Sequence, residues 1–226
     1  MIIEDSYTIA ADKSLDDAII ALFSFEKKCR INNDITSLKE VCIHIIRLCK
    51  TKADWLKLNA ALATINKRSS LIRTVIIAVV NEALLYVKDT PSLECKVDLI
   101  KALKEICDGK IYVESESANL HFMLSKIYED RGDITEACEI IQDVHVETYG
   151  SLSKKEKTEY ILEQMRLNLL KRDYIRVLIH SRKMNLKTIE EDGFALVKIR
   201  FYTMMVEYHS VQRDPWEVCQ AYYKVS

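Results

Sequence analysis

The chain contains almost nothing that breaks a helix. Four Gly and two Pro are all that occur in 226 residues, about 3% where an average protein carries roughly 12%. A sheet protein of this length would need many reversals, and reversals draw on Gly, Pro and Asn for backbone reasons. So few of them leave long helices as the main content. Since 49% of the residues are hydrophobic, those helices have ample material for a large buried core.

The spacing of apolar residues agrees. Leu15, Ile19, Leu22 and Phe23 recur at three- and four-residue steps and share one helix face. Leu38, Val41, Ile45 and Leu48 form the next stripe, and Trp55, Leu58, Leu62 and Ile65 a third. The run Val75-Ile76-Ile77-Ala78-Val79-Val80 has the composition of a strand. Its length, and Leu84 and Leu85 following without turn residues, predict a helix over about 70–88 that is apolar nearly all round and buried. Pro91 is placed to open a fifth helix, striped by Val97, Ile100, Leu103 and Cys107 and stopped at Gly109. Further helices are expected at about 114–131, 133–146, 153–171, 173–184, 190–211 and 215–226, roughly eleven in all.

The array has a period. Asp54, Asp133, Asp173 and Asp214 stand where helices are expected to start, the last three 40 and 41 residues apart and the first 79 before the second. Glu94 and Asp16 fall near the same register, and Asp34 is a further candidate N-cap. Each carboxylate can accept from the unsatisfied N–H groups of a helix start. Two helices per period of about 40 residues is the signature of a helical solenoid. In LSKIYEDRGDITEACEII, the positions of Tyr128, Gly132 and Ala137 match a tetratricopeptide-type (TPR) hairpin: the Gly allows the reversal, the small Ala a close approach. The match is degenerate one repeat on, where Arg172 and Val177 take the places of Gly132 and Ala137. The expected fold is all-α, a right-handed α-solenoid of TPR-like helical hairpins over residues 14–226, with 1–13 as an N-terminal extension.

Signals of chemistry are missing. The five His form no metal-ligand spacing, the seven Cys form no Cys-x-x-Cys pair, and the Gly are isolated. No Gly-x-Ser-x-Gly elbow occurs. The chain therefore does not read as an enzyme, and no cofactor, metal or small-molecule substrate is expected. With 33 basic and 34 acidic residues it lacks the basic excess of a nucleic-acid binder. Its most apolar stretch, Leu71 to Val87, is interrupted by Arg73 and Glu82, so no membrane span is expected. The odd cysteine count, and a start carrying Glu4 and Asp5 rather than a basic leader, suit a reducing compartment, cytoplasm and nucleus. Lys154, Lys155 and Lys157 alternate with acids at helical steps, ordinarily a solvated side. With Arg172 and Arg176 they are the candidate partner-binding residues.

From residue 109 a specific likeness emerges. GKIYVE at Gly109–Glu114, VETYGS at Val146–Ser151, EYILEQMRL at Glu159–Leu167, then Asp173-Tyr174-Ile175-Arg176 and Ser181-Arg182-Lys183-Met184-Asn185 follow one another in order. Together they closely resemble the regulatory-subunit-12 family, non-ATPase lid subunits of the 26S proteasome. The likeness is clear over about residues 100–185. It implies a non-catalytic scaffold in the lid that supports degradation of ubiquitinated proteins. Implied partners are other lid subunits, the lid deubiquitinase, the ATPase ring and the α ring of the core particle. It also implies that 14–226 is an N-terminal arm, the family's PCI and winged-helix domain having no counterpart in these residues. Two other readings stay open: a freestanding TPR-like peptide-binding adaptor, and the related COP9 signalosome subunit.

Overall fold

A computed structural model describes residues 15–69 and 72–225; the expected extension at 1–13 lies outside them. The described residues form twelve α-helices and two 3-10 turns and no strand, which is the all-α class expected. The helices are α1 (Leu15–Ile31), α2 (Ile35–Thr51), α3 (Trp55–Ser69), α4 (Arg73–Tyr86), α5 (Leu93–Cys107) and α6 (Glu114–Asp130). They continue as α7 (Ile134–Gln142), α8 (Lys154–Lys171), α9 (Tyr174–Lys183), α10 (Leu186–Ile189), α11 (Ala195–Gln212) and α12 (Pro215–Val225). The chain divides into two compact units within α6, one up to Leu120 and one from His121.

One turn recurs five times. Asn33, Ala53, Gly132, Arg172 and Arg213 have φ of 55°, 54°, 85°, 62° and 59°, and an Asp follows each of them. The Asp N–H donates to the carbonyl five residues back, as from Asp133 to Tyr128 (2.9 Å), Asp173 to Asn168 (2.9 Å) and Asp214 to His209 (3.1 Å). Its carboxylate then accepts from the N–H three residues on: Ser37 to Asp34, Lys57 to Asp54, Glu136 to Asp133, Arg176 to Asp173 and Glu217 to Asp214, all at 3.0–3.2 Å. One residue in left-handed geometry closes the outgoing carbonyls, and one carboxylate caps the incoming N–H groups. The reversal therefore needs only two residues.

Glu94 and Asp16 are corrections to the expected register. Ser92 caps α5, accepting from the Cys95 N–H at 3.2 Å, so Glu94 lies in the first turn and Pro91 precedes the cap. Asp16 likewise lies in the first turn of α1. The helix expected over 133–146 stops at Gln142 because the buried Gln164 amide donates to the Ile141 and Val144 carbonyls at 2.8 and 2.9 Å, ending α7 from outside. The helix expected from 190 begins at Ala195, after the unforeseen four-residue α10 and Gly193 at φ 93°.

Packing runs between helices one to three apart in sequence. In the first unit α2 packs on α1, α3 and α4, and α5 on α3 and α4. In the second α8 packs on α7, α9 and α11, and α11 on α10 and α12. Ile45, Ile46, Leu58, Leu62, Ile76 and Leu103 are fully buried, each contributing about 1.5–3 kcal/mol relative to exposure. The β-branched run is helical, and Val75, Ile76, Val79 and Val80 are all buried in α4. Polar links repeat the same step. Arg47 bonds Glu82 at 2.6 Å, 35 residues on, and Arg68 bonds the buried Glu26 at 3.2 Å across 42. Arg166 reaches Glu129 at 2.7 Å across 37, and Arg200 reaches Glu159 at 2.7 Å across 41.

Arg172 holds by its neighbours a geometry that Gly adopts freely. Arg172→Gly should raise stability to urea by about 0.5–1 kcal/mol, whereas Gly132→Ala, with open space around the added methyl, should lower it by about 1 kcal/mol. Asp133→Ala should cost about 1 kcal/mol. Chemical unfolding followed by circular dichroism reads all three.

Candidate protein-interaction surfaces

The five basic residues selected from sequence do not form one patch. Lys154, Lys155 and Lys157 lie in the first turn of α8, Arg172 at its C-cap and Arg176 in the first turn of α9. The 18 residues of α8 put about 27 Å between the two groups. Lys154 is engaged by Glu191 at 2.7 Å and Arg176 by Asp173 at 3.5 Å. Lys155 and Arg172 are exposed and Lys157 is half-buried. Surface pairs such as these are worth little to stability, so the free cations are available to a partner at small cost.

A groove in the second unit went unrecognised in the sequence. It encloses about 510 Å³ and is lined by Met184 and Leu186 on one side, Phe201 and Met205 on its floor, and Trp216 and Ala221 on the other. Arg182, His209, Glu217 and Lys224 supply its charged and titratable groups. Its origin is local. Elsewhere in this unit α8 joins α9, and α11 joins α12, through two-residue turns, but residues 184–194 intervene between α9 and α11. Residues of α9, of that connection and of α12 line the groove over α11. Trp216 remains 68% exposed at the rim. Only the spacing of Phe201, Met205 and His209 along α11 was visible in the sequence, and such a stripe reads as ordinary core.

Beneath these surfaces the polar groups are deeply committed. Glu163, 6% exposed, accepts from Arg166 at 2.7 Å and Lys126 at 2.5 Å, and Arg166 also holds Glu129 at 2.7 Å. Burial pushes the Glu163 carboxyl upward, but the hydrogen bonds from Arg166 and Lys126 outweigh it and hold the group below the usual range. His180 is buried, its Nδ1 without a hydrogen-bond partner, and burial together with the nearby Lys183 lowers its pKa to about 4. The Cys42 thiol is pushed up to about 12 by burial, so it is an inert hydrophobe. All seven cysteines are free. Among the described residues, no three His, Cys, Asp or Glu gather so as to hold a metal ion, and no helix is long and apolar enough to cross a membrane.

These groups fix a pH response. An imidazole that titrates near 4 when folded and near 6.5 when unfolded binds its proton in the unfolded chain first. Stability is then lost as pH falls from about 6.5 towards 4, by up to about 3 kcal/mol. The depressed Glu163 acts lower, its contribution being present above about pH 4.3 and lost as pH falls through its folded value. Urea midpoints should drop between pH 7 and 5 in the native chain, and His180→Phe should flatten that drop. Glu163→Gln should cost about 2 kcal/mol at pH 7 by leaving Arg166 and Lys126 short of an acceptor.

Comparison with known proteins gives these surfaces a context. Residues 17–226 match the family model described as PSMD12/CSN4, N-terminal. A Dictyostelium discoideum protein named 26S proteasome non-ATPase regulatory subunit 12 is 36% identical over 222 residues, covering 98% of this chain and 50% of its own length. The Arabidopsis thaliana homolog B of that subunit is 31% identical over 93% of this chain and 53% of its own length. The Saccharomyces cerevisiae 26S proteasome regulatory subunit RPN5 is 32% identical over 93% of this chain and 48% of its own. The chain thus spans about half the length of the curated relatives it matches. With helical hairpins, caps and core all lying inside the matched span, the chain belongs to the PSMD12/CSN4 N-terminal family.

Proposed function

We propose that the chain is a non-catalytic helical support in the lid of the proteasome regulatory particle, acting in ATP-dependent degradation of ubiquitinated proteins by holding its neighbours in place. The observation that carries this reading is the family match over residues 17–226, together with relatives of 31–36% identity that are named as proteasome regulatory subunits. The physical character of the chain supports it. Within each unit helix packs on helix, and buried charges such as Glu26 and Glu163 are spent on holding adjacent hairpins together. Partners under this reading are other lid subunits, the lid deubiquitinase, the ATPase ring and the α ring of the core particle. The setting is cytoplasm and nucleus. Lys155, Lys157 and Arg172 are the contact cations offered to those partners.

A second reading has one specific observation in its favour. The matching family also takes in CSN4, so a place in the COP9 signalosome shares the same fold. The relatives' names favour the proteasome.

Affinity purification of the tagged protein from its own cells, followed by mass spectrometry, separates the two. Proteasome lid and ATPase subunits should be recovered. Recovery of signalosome subunits instead, or of neither set, would sink the proposal. Replacing Lys155, Lys157 and Arg172 with Glu should lower recovery of at least one lid subunit by about fivefold, equivalent to ~1 kcal/mol, without changing thermal stability.

A further inference from the structure

The groove over α11 has a direction. The turn at Arg213-Asp214 makes α12 antiparallel to α11, so Trp216 lies beside His209. Lys224, ten residues past Asp214 and about 15 Å along the helix, lies at the Phe201 end. The turn at Arg172-Asp173 makes α9 antiparallel to α8. The Arg200–Glu159 pair and the Tyr174–Tyr208 ring contact at 6.5 Å show that α8 and α11 run the same way. Arg182, eight residues past Tyr174, therefore also reaches the Phe201 end. Two cations from different helices thus converge on one end of an apolar trough. Neither has an ion pair among the described residues, although the chain pairs many of its other cations. The opposite end carries the exposed indole of Trp216.

We infer that this groove binds an acidic, apolar-anchored segment of a partner protein: large apolar side chains lie on Met205, Leu186 and Trp216, and Asp or Glu side chains meet Arg182 and Lys224. Three observations select this occupant. The volume, about 510 Å³, falls among ligand-sized clefts of roughly 300–1,000 Å³. The floor holds the half-buried Met205, whose flexible thioether adapts to varied apolar shapes. The charge at the α10 end is cationic from both walls, which complements carboxylates and repels a basic segment. The groove is lined by residues of α9 and α12, with α11 supplying its floor. The assignment rests on the reading of the chain as a protein-holding subunit, but its test is independent of any proteasome.

The test is fluorescence anisotropy on this chain with a labelled peptide of about twelve residues that carries Leu and Phe at helical steps and Asp-Glu pairs at one end. A second peptide has the same apolar residues with Lys-Arg pairs, and a third keeps the acids but replaces Leu and Phe with Ser. The acidic apolar peptide should bind with micromolar Kd, and the other two at least about tenfold more weakly. Arg182→Glu combined with Lys224→Glu should weaken the acidic peptide about tenfold and strengthen the basic one. Trp216→Ala should weaken both apolar peptides. All three positions are exposed, and an unchanged melting curve checks that each variant is folded. Absence of binding at about 1 mM, or binding indifferent to the charge reversal, would overturn the assignment. So would sedimentation showing that a second copy fills the groove. Failure here with successful recovery of lid subunits would leave the lid reading intact.

Discussion

Everything in this structure depends on a reversal made from two residues. A helix can hand over to the next in so short a span only if its last carbonyls and its successor's first N–H groups are both satisfied at once. The left-handed residue and the Asp after it do this together at Asn33-Asp34, Ala53-Asp54, Gly132-Asp133, Arg172-Asp173 and Arg213-Asp214. Because the connection is that tight, consecutive helices are held side by side and their apolar stripes meet. Gly132 meets the left-handed requirement at no steric cost. Arg172, Arg213 and Ala53 meet it because the flanking helices, once packed, leave no other route.

From that reversal follows the second tier of order. A hairpin fixed at one end still exposes a face, and the next hairpin covers it, so within each unit packing links helices one to three apart. The ion pairs fall into the same step: Arg47–Glu82, Arg68–Glu26, Arg166–Glu129 and Arg200–Glu159 join residues 35 to 42 apart. Buried members such as Glu26 and Glu163 need those partners, since an unpaired buried carboxylate is costly. The charge network thus favours one register of hairpin on hairpin in addition to the apolar contacts.

In the second unit the rule is relaxed at residues 143–153 and again at 184–194, and the second of these borders the candidate site. Residues 184–194 do not make a two-residue reversal; they hold α10 and Gly193, and α9 and α12 stand apart across α11. Beside this connection Leu186 and Trp216 stand exposed over the half-buried Met205, with Phe201 buried beneath. Lys155, Lys157 and Arg172 lie at the two ends of α8, so the contacts proposed for them would be distributed over the second unit.

The sequence by itself determined the all-α class, the helix stripes, and the caps at Asp34, Asp54, Asp133, Asp173 and Asp214. These are local: a scarcity of breakers, a 3.6-residue period and a carboxylate before a helix act within a few residues of one another. The strings from GKIYVE to EYILEQMRL pointed to the family for the same reason, being legible as written. Only the tertiary structure decided the rest. Gln164 ends α7 from a helix twenty residues away, Ser92 takes the cap that Glu94 was expected to mark, and α10 interrupts a span that carried no helix signal of its own. Lys154 proved to be engaged by Glu191, 37 residues on, because packing brings the two together. The groove could not be read in advance, since it is bounded by residues from four helices that no sequence period brings together. Its width is fixed only when the helices on both sides have packed.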